Sequence, residues 1–231
     1  DKESLLELRW ISQKPALDRD RFENSRPFTP LSNLAIFTNA RDEIRIDLEL
    51  ERELATADEV DILVSFIKMS GLRLIRDALL KLRDRGVRVR VITTTYMGAT
   101  DKKAIDSLVN DLGAEVRIDL LPVSNRLHAK AWLFRRKSGY STALIGSSNM
   151  SYSALTSGSE WNVRLAEAKA PALFSKFSAA FESYWESEEY RQYSTPEYGQ
   201  ALEESLARQS NQGGSSHYFL PTIEVTPRPH Q

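Results

Sequence analysis

The chain has 231 residues, 41% hydrophobic and 27% charged, which suits one α/β domain with flanking arms. Its formal net charge of −1 excludes a generally basic nucleic-acid-binding surface, so any such contact is confined to a local patch. The absence of cysteine excludes disulfides and thiolate metal ligands and fits a reducing cytosol. Residues 1–28 read as a polar N-terminal arm, with a short helical pattern at Leu5, Leu6 and Leu8, and Pro27 and Pro30 punctuating its end. A helix is expected near 49–56. Val60, Ile62, Leu63, Val64, Phe66 and Ile67 make a short buried strand over 59–67. Residues 71–85 place Leu72, Ile75, Leu79 and Leu82 on one helical face, with Gly86 as its stop.

A β-branched strand follows over 87–93, then a helix capped by Asp101 and running to Leu112, then a strand over 114–120. This β-α-β-α-β rhythm is that of a parallel sheet wrapped by helices. After Pro122 the rhythm changes. Strands over 127–135 and 142–145 flank a hairpin loop at 136–141 containing Gly139. A short helix at 151–155, a strand over 160–165 and an amphipathic helix over 171–184 complete a domain over 29–190. Trp132 and the Phe174, Phe177, Phe181 and Trp185 stripe read as core or interface. Residues 191–231 read as a linker, with Gln, Ser, Asn and Gly crowded into 209–216. No apolar run approaches the ~20 residues of a membrane span. No signal peptide precedes the domain, and Asp1 reads as the start of a fragment.

The chemistry concentrates in Leu-His-Ala-Lys-Ala-Trp-Leu at 127–133 and Ile-Gly-Ser-Ser-Asn-Met at 145–150. Residues two apart on a strand share a face, so His128 and Lys130 are expected to point the same way. Gly146, Ser147 and Ser148 allow a close turn at which backbone N–H groups and Asn149 approach an anion. Histidine is a competent nucleophile near neutral pH. Lysine and asparagine stabilise the charged oxygens of a phosphoryl transition state. Each residue also has a plainer reading: a surface histidine, a solvated lysine, a turn asparagine, and a strand-end carboxylate at Glu160. Arg135, Arg136 and Lys137 form a basic run that is either a solvated hairpin or a contact to a DNA backbone. His217 and His230 stand in polar or terminal segments and carry no catalytic expectation.

His-x-Lys followed by Gly-Ser-x-Asn resembles the signature of the phospholipase D superfamily. Glu160 stands eleven residues beyond Asn149, where that family often carries an acidic residue orienting a catalytic histidine. The resemblance implies an α/β fold with a mixed, largely parallel sheet flanked by helices. It implies catalysis by His128, Lys130, Asn149 and Glu160, with Ser147, Ser148, Arg135 and Arg136 as substrate contacts. One departure is Arg135, five residues after Lys130, where the family usually has a structural Asp. The family joins two such motifs in one site, and this chain, with three histidines, has one. The resemblance therefore implies a homodimer, a phosphohistidine intermediate, DNA as substrate and no metal or other cofactor for this domain. Thr226-Pro227-Arg228-Pro229-His230-Gln231 resembles the entry to a superfamily 2 helicase core. Phospholipase D-like domains precede such helicases in modification-dependent restriction and antiphage proteins. That implies a helicase partner in the same longer chain, to which ATP and Mg would belong, and a cytoplasmic setting with no membrane partner. A phospholipid substrate, and a docking module whose site has decayed, stand as the competing readings.

Overall fold

Short β-branched runs alternate with amphipathic stretches, and the computed structural model, which describes residues 26–120 and 127–213, folds them into strands and covering helices. In chain order these are β1 (Ala35–Phe37), α1 (Ile46–Thr56), β2 (Glu59–Leu63), α2 (Met69–Asp84), β3 (Arg88–Thr94), α3 (Lys102–Asn110) and β4 (Glu115–Asp119). Then come β5 (Lys130–Arg135), β6 (Thr142–Gly146), α4 (Tyr152–Thr156), β7 (Asn162–Ala166), α5 (Pro171–Glu186), β8 (Arg191–Gln192) and α6 (Thr195–Gly213). All eight strands join one sheet in the order β1-β7-β6-β5-β2-β3-β4-β8. The α/β, mixed-sheet expectation holds. The parallel part, however, is confined to β2-β3 and β3-β4, and the other pairings are antiparallel, so the sheet is not largely parallel. The reason lies in the connections. Helical crossovers link β2, β3 and β4, whereas the short polar turn after Arg136 returns β6 beside β5.

Strand alternation sorts two cores. Val60, Ile62, Val91, Trp132, Phe134 and Leu144 face α1, α2 and α3, and Trp132 stacks on Phe134 as core. Leu63, Ile92, Leu133 and Leu165 face α5, which buries Phe174, Phe181 and Trp185 against them. Two ion clusters lock the layers. On the α1 side, Glu53 pairs with Arg164 at 2.7 Å and Arg136 at 2.5 Å, and Glu49 lies 3.6 Å from Arg164. Arg164 also donates to the carbonyls of Pro30 and Asn33, and Glu49 accepts the N–H groups of Phe28 and Thr29, strapping the entering chain to the sheet. On the α5 side, Asp61 bridges Arg90 and Arg135, and Arg90 reaches Glu182 of α5.

Three expectations are corrected. The strand expected over 127–135 starts at Lys130, because β2 and β6 offer ladder partners no farther than Ala131 and Lys130. Asp101 makes no side-chain cap on α3; its carboxylate accepts the Met69 N–H at 2.9 Å and so serves the start of α2. Residues 191–213 are not linker. β8 pairs with β4, and α6 packs on the domain through Tyr198, Leu202 and Leu206, a four-residue spacing masked by the polar residues between them. The Leu5–Leu8 pattern, most of the N-terminal arm, His217, His230 and 226–231 lie outside the described residues.

Candidate active site

The ladder residues Lys130, Gly146 and Asn162 stand opposite one another at the upper ends of β5, β6 and β7. Gly146 is required there. A Cβ on it would meet the Trp161 carbonyl oxygen at 2.1 Å and the Asn162 side chain at 2.6 Å. Gly71, near the start of α2, is required for a related reason, since its Cβ would lie 2.5 Å from the backbone of Met150 and Ser151. The bare α-carbon lets α2 press against the turn that carries Asn149, and the Lys68 N–H closes that contact on the Met150 carbonyl at 2.8 Å.

Asn149 is buried, and its Oδ1 accepts the N–H groups of Ser65 and Phe66 at 3.0 and 3.2 Å. Only an oxygen can face those two donors, so the carboxamide orientation is fixed by its partners. The Nδ2 group, two donors, is presented away from β2. Lys130 is buried, and its Nζ donates to the His128 carbonyl at 2.7 Å. Burial holds its ammonium below the usual lysine range, and the nearby Glu160 charge partly restores it. His128 precedes β5 and is exposed, as is Ala129, so strand alternation does not orient it. The Lys130 bond to its carbonyl holds that segment instead. The Ser147 hydroxyl donates to Glu160 and accepts the Trp161 N–H at 3.0 Å. Among the described residues no hydrogen bond joins Glu160 to His128.

The structure thus gathers His128, Lys130, Asn149, Glu160 and Ser147 at one rim of the sheet. Ser148 is beside them but occupied: its buried hydroxyl donates to the Ala154 carbonyl and accepts from Asn162 Nδ2 at 2.8 Å. Arg135 and Arg136 are elsewhere. Arg135 ends β5 roughly 16 Å from Lys130 at the usual rise of an extended chain. It is tied to Asp61, Ser178 and Glu182, while Arg136 is buried against Glu53, Thr56 and Thr142. Both guanidinium groups are engaged in ion pairs and hydrogen bonds within the fold, away from the rim. Asp61, from the neighbouring strand, supplies a carboxylate beside Arg135, the position where the resemblance led us to expect one. The sequence reading missed Asn162, which locks Ser148, and Trp161, which is 71% exposed beside Glu160. Their one signal was closeness to Glu160. No group of three or more His, Asp or Glu side chains among the described residues is placed to share a metal ion. Nor is any described helix long and apolar enough to cross a membrane.

Solved structures that share this fold include these three. A phospholipase D family member, Nuc from Salmonella typhimurium, is 21% identical over 70% of this chain and 99% of its own, with a TM-score of 0.52. NucT from Helicobacter pylori is 18% identical over 70% and 99%, with a TM-score of 0.52. Phosphatidylserine synthase of Haemophilus influenzae Rd KW20 is 12% identical over 80% and 48%, with a TM-score of 0.50. No curated protein matches the chain in sequence. The family described as cardiolipin synthase, PLD-like domain, matches residues 50–185, which span more than half of the chain and every residue gathered at the rim. On that match, the chain belongs to the phospholipase D-like family.

Proposed function

We propose that this domain is a phosphodiesterase that cleaves DNA through a phosphohistidine, in a site completed by a second copy of the chain. The observation that carries the reading is the rim itself. An accessible imidazole stands beside a buried ammonium and an amide whose carbonyl is fully engaged, leaving its N–H groups for an anion. One His128 attacks phosphorus and forms the N–P bond as the P–O bond to the leaving oxygen breaks. The second copy's His128, protonated, gives its proton to that oxygen. It then takes a proton from the water that cleaves the N–P bond and frees the first imidazole. Lys130 and Asn149 Nδ2 hold the non-bridging oxygens, where charge builds. Within one copy Glu160 serves Ser147 and not His128, which suits it to orient the imidazole of the other copy. No step is assigned to a metal. Trp161 offers an open ring for a base beside the phosphate. By the resemblance at 226–231, we place this nuclease with an ATP-dependent helicase of a cytoplasmic restriction or antiphage protein.

The test is plasmid DNA in EDTA, beside vesicles of phosphatidylcholine and phosphatidylglycerol. We expect DNA cleavage and an acid-labile, base-stable phosphoprotein on brief acid-free quenching. Release of lipid headgroup with DNA intact overturns the substrate; cleavage of neither leaves a docking module. Asn149→Asp separates binding from folding. Oδ1 still accepts the Ser65 and Phe66 N–H groups, but the Nδ2 donors that would face the phosphate are gone. Cleavage should fall about 10²–10³-fold with an unchanged melting temperature. Asn149→Leu instead orphans two backbone donors and should also lower stability by about 1–3 kcal/mol.

A further inference from the structure

We infer that the second copy docks two-fold on an apolar row that runs across β1, β7 and β6 on the α5 side of the sheet. The inference rests on the two-copy reading above and assigns its surface. Ile36 and Val163 stand opposite each other in the β1-β7 ladder, and Ile145 continues the row onto β6. Registered neighbours of an antiparallel ladder project to the same face. Val163 is two residues before Leu165, which packs against α5, so the row lies on that side. Leu34, two residues before Ile36, prolongs it. Yet Leu34 is 54%, Ile36 52% and Val163 45% exposed. The cause is the placement of α5. The helix covers Leu63, Ile92, Leu133 and Leu165 and is tied to Arg90 on β3, which leaves the β7-β1 end of the sheet open among the described residues. Adjacent large apolar side chains in water make an interaction face.

Symmetry and position identify the occupant. The row begins one residue past Asn162, whose ladder partners lead to Lys130, so whatever covers it borders the catalytic rim. The rim holds one imidazole and a Glu160 engaged with Ser147, and a second copy completes it by bringing its own rim alongside. A two-fold axis between two rims sets the surface next to one rim against the same surface of the other copy. Val163 then lies near its own counterpart, and the row covers itself. The row carries no charge, so this self-apposition strands no ion in the joint. A net charge of −1 adds little repulsion between copies.

Sedimentation equilibrium over a concentration series tests this. Wild type should run at about twice its 26.2 kDa mass. Val163→Glu and Val163→Lys, at an exposed position, should each raise the dimer Kd by at least about tenfold with unchanged circular dichroism melts. Near a two-fold axis like charges meet, so each variant repels itself while the two attract each other. An equal mixture of the two should therefore regain a dimer and its DNA cleavage, which two merely destabilised chains would not do. A wild-type dimer indifferent to both variants overturns this surface and leaves the two-copy site standing. Weakened variants whose mixture stays monomeric overturn the two-fold apposition of Val163. A lowered melt with sedimentation unchanged shows that another segment of the same chain covers the row, and overturns the docking. A wild type monomeric at every concentration, with DNA present, overturns both this surface and the two-copy site.

Discussion

His128→Ala is expected to lower EDTA-resistant DNA cleavage by at least about 10⁴-fold, the usual loss when a covalent nucleophile is removed. The side chain is exposed, so the melting temperature should not move. The same variant tests how many copies build one site. If each site needs both imidazoles, an equal mixture with wild type, exchanged to equilibrium, cleaves at about a quarter of the all-wild-type rate; independent copies would give about half. Cleavage that survives the substitution would remove His128 from the chemistry altogether.

Glu53→Ala is expected to destabilise the fold by about 3–5 kcal/mol, since it strands Arg136 and Arg164 in the interior without their carboxylate. Urea unfolding measures the loss directly, and Tm should fall by roughly 10 °C. Glu53→Gln keeps the shape without the charge and should fall between. Burial alone would push the Glu53 carboxyl up, but the Arg136 and Arg164 charges, with hydrogen bonds from Arg136 and Thr142, hold it below the ordinary glutamate range. A carboxylate depressed on folding adds stability that is present above its unfolded pKa and lost as pH falls through the folded one. Wild type should therefore weaken in acid below the ordinary glutamate range along a slope that Glu53→Ala lacks. Glu49 runs the other way. Burial and the Glu53 charge push it up, so its contribution fades as pH rises. An equal acid slope in wild type and variant would refute this account.

The candidate residues were legible because their spacing is local: His128 to Lys130, then Gly146 to Asn149, are short words in the chain. Their orientation was not. Asn149 takes its direction from Ser65 and Phe66, 84 and 83 residues away, and the Asp101 carboxylate caps a helix other than the one it precedes. The same distance effect misled the reading of Arg135 and Arg136. Adjacent arginines on a hairpin suggest a solvated patch, yet their partners Glu53, Asp61 and Glu182 arrive from α1, β2 and α5, elements far apart in the chain. The extension to residue 213 was hidden by composition, since Tyr198, Leu202 and Leu206 are few apolar residues among many polar ones.

The pinning of Asn149 by Ser65 and Phe66, just past the end of β2, has a consequence for when the proposed site becomes competent. The strand that aims the amide and the turn that bears it are made far apart in time on the ribosome, and α2 can seat on Met150 only when both exist. A nascent, clipped or locally opened chain has the candidate residues but no aimed donor. On the proposed reading, cleavage should thus be lost under mild denaturant before helix content changes, so that the site is competent only once its topology is complete.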